Sequence, residues 1–586
     1  MDLHPAVAAA KRGDGLLNAE GHDAREVTGA LDAFFAHYFR THPVNATFTG
    51  VHDFDHALPD WSRGAREADV ITMRALHAAL ERAAPSGARG TEAMRDDPAS
   101  FDAELARANL DTRIAEHESG FFIDRNPALW TGEAIFGPVS LMLREFAPVQ
   151  ERLPSLAARL AAVPSFLAIM RASIVEPIPA HWRARATREC LAATVLFGDG
   201  LDAWLSMHDG DASPVRDAAR HAVAAFETTR TWLQDREAAP DQAYSVGESL
   251  LTTMLQRGHF CTQSPRELLV RAEEAMEHVR HALQGALSAQ GVDWTGAQAA
   301  MAADRPVASE YSGTFMRQWT EIRSGVLAQD AVTWPDWPIR YVPIPHWARG
   351  AAPELYWLFY RSPAPFDRYE VHDYVVAPVD DTMSDDAQHA RLAAWNHSVI
   401  TLNHVVHHGG VGHHVQNWHA IHRSTSRIGT IAAVDCASRI GMFQGGSMAE
   451  GWACYATGLA GELGLLSPLE VLSEQHTRVR LLARAIVDLR LHTGDWTFPE
   501  CVRYYEEQTG MSRHVATGET TKNSMFPATA LMYWLGTQGI LDLRARCRET
   551  AGATFSPRAF HDELLSRGSI PVLLAARLMQ PERAHA

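Results

Sequence analysis

The sequence predicts a mostly α-helical protein built as one large body. Apolar residues recur at helical spacing, as in Val27, Leu31, Phe34 and Tyr38, and Pro43 ends this first pattern. Similar patterns fill most of the first half of the chain. No Pro/Ser/Gly-rich linker and no internal repeat divides the 586 residues. One helical domain over residues 1–586 is therefore the simplest prediction.

The helical patterns can be followed in order through the first half. The segment 26–330 is predicted to be a helical scaffold, with patterns over 63–84, 100–118, 154–175, 185–206, 213–238 and 264–289. The last of these opens with Ser264, Pro265 and Glu267, a helix-start signature with proline in the first turn. No candidate for chemistry stands out in this half.

The segment 331–380 has a different composition. Aromatic and β-branched residues alternate there with proline, which favours short strands and ordered loops over helix. Such strands could form a ledge that binds an extended substrate, or a structural hairpin, and the composition fits both equally. Helical patterns resume at Asp385 and continue through 385–586.

Composition limits the partners and the cellular compartment. The chain has 46% hydrophobic and 21% charged residues and a net charge of −17. The negative charge argues against binding to nucleic acid or to an anionic membrane, since either requires a basic face. The six cysteines are scattered, the start lacks the apolar core of a signal peptide, and no uncharged apolar run reaches about 18 residues. We therefore expect a cytoplasmic protein with reduced cysteines and no membrane partner. The oligomeric state is left open.

The segment 404–422, HVVHHGGVGHHVQNWHAIH, holds seven of the thirty histidines. Neutral imidazoles that converge from rigid positions are typical metal ligands. His404 and His408 are four apart and would share one face of a regular helix. His407 and His413 are six apart, about 240° on a regular helix, so they could share an ion only if the chain turns between them. Three intervening glycines allow positive φ and predict such a break. A histidine-rich surface helix is the alternative interpretation.

A carboxylate follows the cluster. The segment 447–464 has a helical pattern that places Glu450 in the first turn, after Ser447 as a candidate cap. Zinc sites with two histidines and one glutamate take the third ligand from the next helix in this way. The alternative is a glutamate that only interacts with the helix dipole. Cys454, one turn further on, could be a nucleophile or a soft ligand, although a buried free cysteine is commoner.

The chain resembles the DUF885 family, helical relatives of metallopeptidases whose signature is HExxPGHH followed by EGWALYAE. The two signatures stand here as HHGGVGHH (407–414) and EGWACYAT (450–457). The resemblance also covers THPVNATFTGVHDFD (41–55) and FHDELLSRGSIPVLL (560–574), and so spans nearly the whole chain. It implies a neurolysin-like architecture, with metal-binding helices at the floor of a deep cleft.

The resemblance also implies a ligand set. His407, Glu450 and the histidine of the GHH element match the metal-binding positions. That histidine is His413, with His414 as the alternative. If His413 is the ligand, His414 would support the ligands without binding the metal itself. Zinc is the first expectation, with Fe(II) or Mn as alternatives.

Three positions depart from the family pattern. His408 replaces the glutamate that would activate a water, Val411 replaces proline, and Thr457 replaces the second acid. A histidine can accept a proton only while neutral, and it could equally act as an extra ligand. The resemblance therefore predicts metal binding more strongly than it predicts ordinary peptide hydrolysis.

The last third contributes five more candidate residues. Arg484, Asp488 and His492 match a family RxxxDxxxH pattern and are spaced to lie along one stripe of a helix. They would either support a ligand or substrate, or form a buried salt-bridge ladder between helices. Lys522, one of only two lysines, stands where the family has arginine, and Tyr533 matches a family tyrosine that could stabilise an oxyanion.

The sequence therefore predicts a metal-dependent enzyme. The first hypothesis is a zinc hydrolase of an amide-like bond in a small peptide or amino-acid conjugate, with His408 as base and Tyr533 and Lys522 contacting the substrate. The second is a non-hydrolytic iron enzyme of oxidative or lyase type, because two histidines and a carboxylate also bind non-haem iron(II). The third is a metal-binding or ligand-binding protein without turnover.

Overall fold

The computed structural model describes residues 21–85, 97–355, 364–368, 371–433 and 441–579. Helix accounts for 72% of the structure and strand for 3%, which confirms the predicted mostly helical fold. The described residues belong to two compact units. Unit 1 draws on Met1–Val246, Ile344–Trp357 and Pro363–Tyr369, and unit 2 on Gly247–Pro343, Leu358–Ser362 and Glu370–Ala586. The deep cleft, the neurolysin-like architecture and the subdivision at 331–380 stay predictions.

Unit 1 is formed by long helices with apolar residues on their packed faces. Proline within the first two helical positions and a side-chain cap begin several of them, as at Asp97 and Asn126. Its helices are α1 (Gly21–Thr41), α2 (Pro43–Thr49), α3 (Arg63–Ala83), α4 (Pro98–Ser119), α5 (Pro127–Leu143), α6 (Val149–Ser173), α7 (Ala180–Val195), α8 (Leu201–Leu205) and α9 (Ser213–Gln234), with a two-stranded parallel sheet of β1 (Ile178–Pro179) and β2 (Ala238–Ala239).

Helix α6 is long and apolar enough, by length and composition alone, to cross a membrane. It has a mean hydropathy of 1.6 over its most apolar window, 44% of which is buried inside the structure. The helix also contains Arg159, which is fully buried and donates to the carbonyl oxygens of Gly137 and Pro43. Its apolar face packs against α9 and α5. A core helix meets the same criteria, so α6 is weak evidence for a membrane span.

Unit 2 contains the histidine segment. Its elements are α10 (Glu248–Thr253), α11 (Pro265–Gln290), α12 (Trp294–Ala303), α13 (Tyr311–Ala328), β3 (Ile339–Pro343), β4 (His372–Val376), α14 (Asp385–Ala394), α15 (His397–Val399), α16 (His413–His422), α17 (Arg427–Ile431), α18 (Gly446–Glu462), α19 (Pro468–His492), α20 (Phe498–Thr509), α21 (Arg513–Met525), α22 (Met532–Ala551), α23 (Pro557–Ser566) and α24 (Val572–Leu578). Short π-helical segments occur at Leu196–Gly200 in unit 1 and at Met254–Gly258, Ile400–Gly409 and Gly441–Gly445 in unit 2.

The predicted strands are present, but they do not form a hairpin. β3 and β4 pair in parallel, with Ile339 opposite His372 and Pro343 opposite Val376. Parallel strands require a long crossover connection, whereas a hairpin joins antiparallel strands by a short turn. The structural hairpin is therefore wrong. The substrate ledge stays a prediction.

The helix that leads into the histidine segment is interrupted. The helical pattern that resumes at Asp385 gives α14, which ends at Ala394, and Trp395 adopts a non-helical conformation. The Asn396 side chain then accepts a hydrogen bond from Val399 N at 3.1 Å and starts a new helical segment. Asparagine competes for backbone donors in this way, which is why it favours caps over helix interiors.

Candidate metal centre

The backbone brings His413 back towards His407 through a π-helical segment and a glycine turn. The chain winds as π-helix over Ile400–Gly409, and α16 begins at His413. The turn is closed by a hydrogen bond from Gly412 N to Val406 O at 2.8 Å. The predicted break is therefore present, and wide π turns often occur at functional sites.

Glycine is required in this turn because backbones approach closely. A Cβ on Gly412 would overlap the carbonyl oxygen of His407, and one on Gly410 would lie 2.6 Å from Val405 O. None of the three glycines has positive φ, so the predicted reason for them is wrong. Two indole N–H groups hold the turn: Trp319 donates to Gly409 O at 2.7 Å and Trp452 to Val411 O at 2.8 Å.

Two imidazoles and one carboxylate converge beside this turn. The Oε2 atom of Glu450 lies 3.4 Å from His407 Nε2 and 3.6 Å from His413 Nε2. Hydrogen bonds between such atoms are about 2.7–3.2 Å long. Zinc bonds of about 2.0–2.2 Å at a tetrahedral angle would instead separate ligand atoms by about 3.3–3.6 Å. The distances of the Glu450 oxygen from the two rings therefore fit a shared metal ion.

His408 completes a group of three histidines. One donor atom of each of His407, His408 and His413 lies within 4.8 Å of the others. The Nδ1 atom of His408 lies 2.6 Å from the carbonyl oxygen of Asn403. A carbonyl only accepts, so Nδ1 carries the hydrogen and the lone pair of the neutral ring is on Nε2. This tautomer leaves Nε2 able to accept a proton or to bind a metal.

The charges of the cluster are coupled. Burial alone would raise the pKa of Glu450, but contacts with His407 and His413 lower that pKa well below its ordinary value. Burial lowers the pKa of His407, with Glu450 opposing it. Burial, then the neighbouring His407 and His413, lower the pKa of His408 well below 6.5. Burial lowers the pKa values of His407 and His408 while the Glu450 carboxyl is ionised, and neutral imidazole and carboxylate are the forms that bind metals.

Helix α18 places Glu450, but differently from the prediction. The helix starts at Gly446 after a π-helical turn, so Glu450 lies in its second turn rather than its first. The Ser447 hydroxyl is not a cap and instead accepts a hydrogen bond from Val572 N at 3.1 Å. Glu450 is therefore held by the packing of α18 rather than by an interaction with the helix start.

Close packing of α18 on α22 brings Tyr533 towards the cluster. A Cβ on Gly451 would lie 2.5 Å from the Cα of Gly536, so the two helices cross at their glycines. Tyr533 packs in one buried group with Cys454, whose Sγ lies 4.0 Å from His407 Nδ1. Burial, then Glu450, raise the pKa of the Cys454 thiol well above its ordinary value. This cysteine is a protonated neighbour of the cluster.

Arg484 and Lys522 both lie next to the Tyr533 ring. The Arg484 guanidinium carbon is 5.2 Å from the ring centroid and Lys522 Nζ is 6.0 Å from it. Arg484 also forms a bidentate ion pair with Glu519, at 2.7 and 2.8 Å. Sequence reasoning missed Glu519 because it is 35 residues from Arg484 and on another helix, outside any local charge pattern.

Asp488 and His492 support the neighbouring backbone. The carboxylate of Asp488 accepts from Ala528 N at 3.2 Å and Leu531 N at 3.1 Å, and burial raises its pKa to about 7. His492 Nε2 lies 3.0 Å from Asn523 O and 3.6 Å from the Asp488 carboxylate. These contacts fix the segment that leads into α22 and Tyr533.

The remaining histidines of the segment contact other partners. His404 Nδ1 is 2.7 Å from the Tyr374 hydroxyl, and its ring stacks on Trp395 at 4.1 Å. His414 stacks on Trp337, and its Nε2 lies 2.8 Å from Trp337 O. Of the two GHH histidines, His413 is therefore the one that reaches Glu450.

Fold and cluster together define a mostly helical protein with a histidine–glutamate group. The sequence matches the family described as "Bacterial protein of unknown function (DUF885)" over residues 43–579, and the chain belongs to this family. No curated protein matches the chain.

Two solved structures share the fold. One is a "putative lipoprotein of unknown function" from Shewanella oneidensis, with a TM-score of 0.72 and 18% identity, covering 96% of this chain and 100% of that one. The other is a "putative lipoprotein" from Colwellia psychrerythraea, with a TM-score of 0.68 and 15% identity, covering 94% of this chain and 98% of that one. At these identities the likeness concerns the fold alone.

Proposed function

We propose that the protein is a zinc-dependent hydrolase of an amide-like bond in a small peptide or amino-acid conjugate. The observation that carries the proposal is the position of Glu450 Oε2, 3.4 and 3.6 Å from the Nε2 atoms of His407 and His413. A tetrahedral site with three protein ligands leaves one position for water or substrate. The resemblance of both signatures to those of metallopeptidase relatives supports the same reaction class.

When bound, zinc would polarise the scissile carbonyl and lower the pKa of a water. His408 would accept the proton of that water at Nε2, because its Nδ1–H is donated to Asn403 O at 2.6 Å. The same proton would pass to the leaving nitrogen. The Tyr533 hydroxyl would donate a hydrogen bond to the developing oxyanion, and Lys522, next to the same ring, would add positive charge.

A second candidate is a non-hydrolytic iron(II) enzyme of oxidative or lyase type. The observation that favours it is the pair of lost acids: His408 stands in place of the water-activating glutamate, and Thr457 replaces the second acid. The Thr457 hydroxyl donates to Cys454 O at 2.7 Å, so it does not substitute for that carboxylate. Two histidines and one carboxylate with open positions suit iron(II), which needs no base to activate water.

Metal analysis of protein purified without added metal separates the two candidates. Zinc at about one equivalent per chain is expected. Stoichiometric iron without zinc would replace the first candidate by the second. A chain that binds no divalent metal would contradict both.

The hydrolase is tested with a panel of dipeptides and N-acyl amino acids on the zinc-loaded protein. We expect turnover, and we expect His408→Ala to keep the metal and lose about 10²–10⁴-fold of the rate. Complete inactivity of the natural chain alongside activity of His408→Glu would contradict a role for His408 as base. Tight ligand binding without turnover would indicate a binding protein.

We propose a small-molecule or short-peptide partner and a cytoplasmic location, as the composition predicts. The word lipoprotein belongs to the two similar structures and is not carried over to this chain. Fractionation of cells that produce the full-length protein tests the location, and recovery in the membrane fraction would contradict it.

A further inference from the structure

A cavity lies between four helices of unit 2. Helix α18 packs closely on α22, and α11 packs closely on α19, but the two pairs pack less extensively on each other. A space of about 140 Å³ is left where the pairs meet, and all four helices line it. An apolar cavity of about 150 Å³ holds one benzene molecule. The space between the helices is therefore large enough for a six-membered ring.

The cavity extends from the surface of unit 2 towards its interior. Glu462 and Arg478, which line it, are half-exposed, whereas Cys454 and Leu482 line it and are buried. Gly458 also lines it, and a Cβ there would lie 2.8 Å from a terminal nitrogen of Arg478. Glycine therefore leaves room beside this arginine. A small molecule can enter from the exposed side and reach the buried side chains.

Cys454 lies between the cavity and the candidate metal centre. Its Sγ is 4.0 Å from His407 Nδ1, while Nε2 of the same ring faces the Glu450 carboxylate at 3.4 Å. The two nitrogens are on different edges of the imidazole. The cavity thus approaches His407 from the edge that does not face Glu450. A molecule in the cavity would be separate from a substrate held at the metal.

The polar side chains around the cavity already have partners in the protein. Each lining threonine donates its hydroxyl to a backbone carbonyl oxygen of its own helix: Thr457 at 2.7 Å, Thr477 at 2.9 Å and Thr537 at 2.8 Å. The lining carboxylates form ion pairs, Glu474 with Arg478 at 2.8 Å and Glu462 with Arg544 at 2.7 Å. A polar or charged ligand would compete with these contacts. The cavity therefore favours an apolar group.

Two aromatic side chains contribute to the walls of the cavity, Tyr455 and Trp534. An arginine lies over each ring, with Arg544 at 5.7 Å from the Tyr455 centroid and Arg271 at 5.9 Å from the Trp534 centroid. A cationic ligand would meet like charge beside both rings. Aromatic groups pack favourably against aromatic side chains. These walls therefore suit an uncharged ring.

We propose that this cavity is a second ligand site, separate from the metal centre, and that it binds an uncharged aromatic ring. The volume fits one ring, the lining hydroxyls and carboxylates are engaged by protein groups, and the walls include two aromatic side chains. Removal of the ring from water would supply the binding free energy. The inference goes beyond the proposed function, because binding in this cavity requires no metal.

Calorimetric titration of the full-length protein with benzene tests the site. We expect one benzene to bind per chain, and benzoate and benzylamine, which have a similar ring and a charge, to bind at least about 10-fold more weakly. The affinity for benzene should be the same in the zinc-loaded and the metal-free protein. No binding of benzene, or equal binding of the charged compounds, would overturn the inference. Binding that requires zinc would assign the ring to the metal centre and overturn it as well.

Two variants that fill the cavity from different helices locate the bound ring. Ala275→Phe on α11 and Thr457→Phe on α18 should each weaken benzene binding at least about 10-fold, because the new ring occupies the same space. Ala282→Phe is the matched control, because Ala282 is an exposed residue of α11 outside the cavity lining. It should bind benzene like the natural chain.

Thermal unfolding shows whether the space is there to be filled. Filling a cavity usually leaves the melting temperature unchanged or raises it, whereas overpacking lowers it. We expect at least one of the two filled variants to melt no lower than the natural chain. Lower melting temperatures in both, or unchanged benzene binding in a variant that melts normally, would contradict the assigned site.

This inference and the proposed function fail separately. Benzene binding that is lost in the filled variants, in a protein that binds no divalent metal, would remove the metalloenzyme and leave the second site. Turnover of an amide by a zinc-loaded protein that binds no benzene would leave the hydrolase and remove the second site.

Discussion

Unit 1 and unit 2 each contain half-buried histidine next to carboxylate, but with opposite numbers of rings and acids. In unit 1, His52 donates through Nδ1 to Asp55 and through Nε2 to Asp367, both at 2.9 Å. In unit 2, the imidazoles of His407 and His413 lie 3.4 and 3.6 Å from the carboxylate of Glu450. One ring lies between two acids in the first case, and two rings share one acid in the second.

The number of carboxylates per imidazole determines whether the ring is protonated or keeps a lone pair for a metal. Burial alone would lower the pKa of His52, but Asp367 and Asp55 outweigh it and raise the pKa to about 9. A ring that donates from both nitrogens has no lone pair for a metal. Burial lowers the pKa of His407 beside Glu450, and the distances of His407 and His413 from that carboxylate exceed a normal hydrogen bond. Histidine thus acts as a structural cation in unit 1 and as a candidate ligand in unit 2.

The largest effect is expected from removing a ligand. His407→Ala and Glu450→Ala should each abolish stoichiometric metal binding, because even loss of a group that only orients a ligand costs about 10- to 100-fold in affinity. Metal content after dialysis against a weak chelator measures this, with Cys454→Ala as the control that keeps its metal. Full occupancy in His407→Ala would mean that His404 and His408 are the ligands instead.

The sequence was sufficient to predict most long helices, and three residues that it indicated as candidate ligands, His407, His413 and Glu450, lie close together in the structure. Helical spacing and capping residues are local signals, so helices such as α3, α4 and α11 end within a few residues of their predicted limits. The glycines also indicated the break before His413. A donor set is recognisable because its chemistry requires particular residue types.

What the sequence could not predict depends on distant partners. His404 and His407 are three residues apart, yet His404 contacts Tyr374 and Trp395 while His407 faces Glu450. Their different roles come from elements that pack against the segment, and no local pattern specifies those contacts. The parallel pairing of β3 and β4 is non-local in the same way.

The second prediction concerns Glu519, a carboxylate whose direct partner is the guanidinium of Arg484. Arg484→Gln should lower the free energy of unfolding by about 3–5 kcal/mol, because it leaves Glu519 buried without its bidentate partner. Urea denaturation of the full-length protein, monitored by tryptophan fluorescence, measures the change in the free energy of unfolding. The double variant Arg484→Gln/Glu519→Gln should recover much of the loss. A single variant as stable as the natural chain would show that Lys522 and Arg480 are sufficient partners for Glu519.

The third prediction concerns pH and His52. Its pKa of about 9 in the folded protein lies above the unfolded value of 6.5. Its contribution to stability is therefore complete below about pH 6.5 and is lost as the pH rises through about 9. We expect the melting temperatures of the natural chain and His52→Gln to differ most at about pH 6.5 and just below, by the equivalent of about 2–3 kcal/mol, and to converge at alkaline pH.

His77→Gln is the control for this experiment. The His77 ring contacts one carboxylate, Asp111, at 3.2 Å and is more exposed than His52. A difference for His52→Gln that grows above pH 9 would contradict the assignment of His52 as a structural cation.

The prediction with the smallest expected effect tests whether a histidine ring binds the metal merely because it is buried and neutral. Burial, then His407, lower the pKa of His404 to about 3, so this ring is as neutral as its neighbours. Its Nδ1 contacts the Tyr374 hydroxyl at 2.7 Å, which makes it part of the core.

Tyr374→Phe should cost about 1–2 kcal/mol of stability, the usual result of removing one partner of a buried polar group. Tyr341→Phe, which removes a hydrogen bond to the His404 carbonyl oxygen at 3.0 Å, should cost less. Both variants should keep a full equivalent of metal, because neutrality selects a ligand only when a carboxylate and a second ring lie at coordinating distance. Loss of metal in Tyr374→Phe, with metal retained in Tyr341→Phe, would instead place His404 among the ligands.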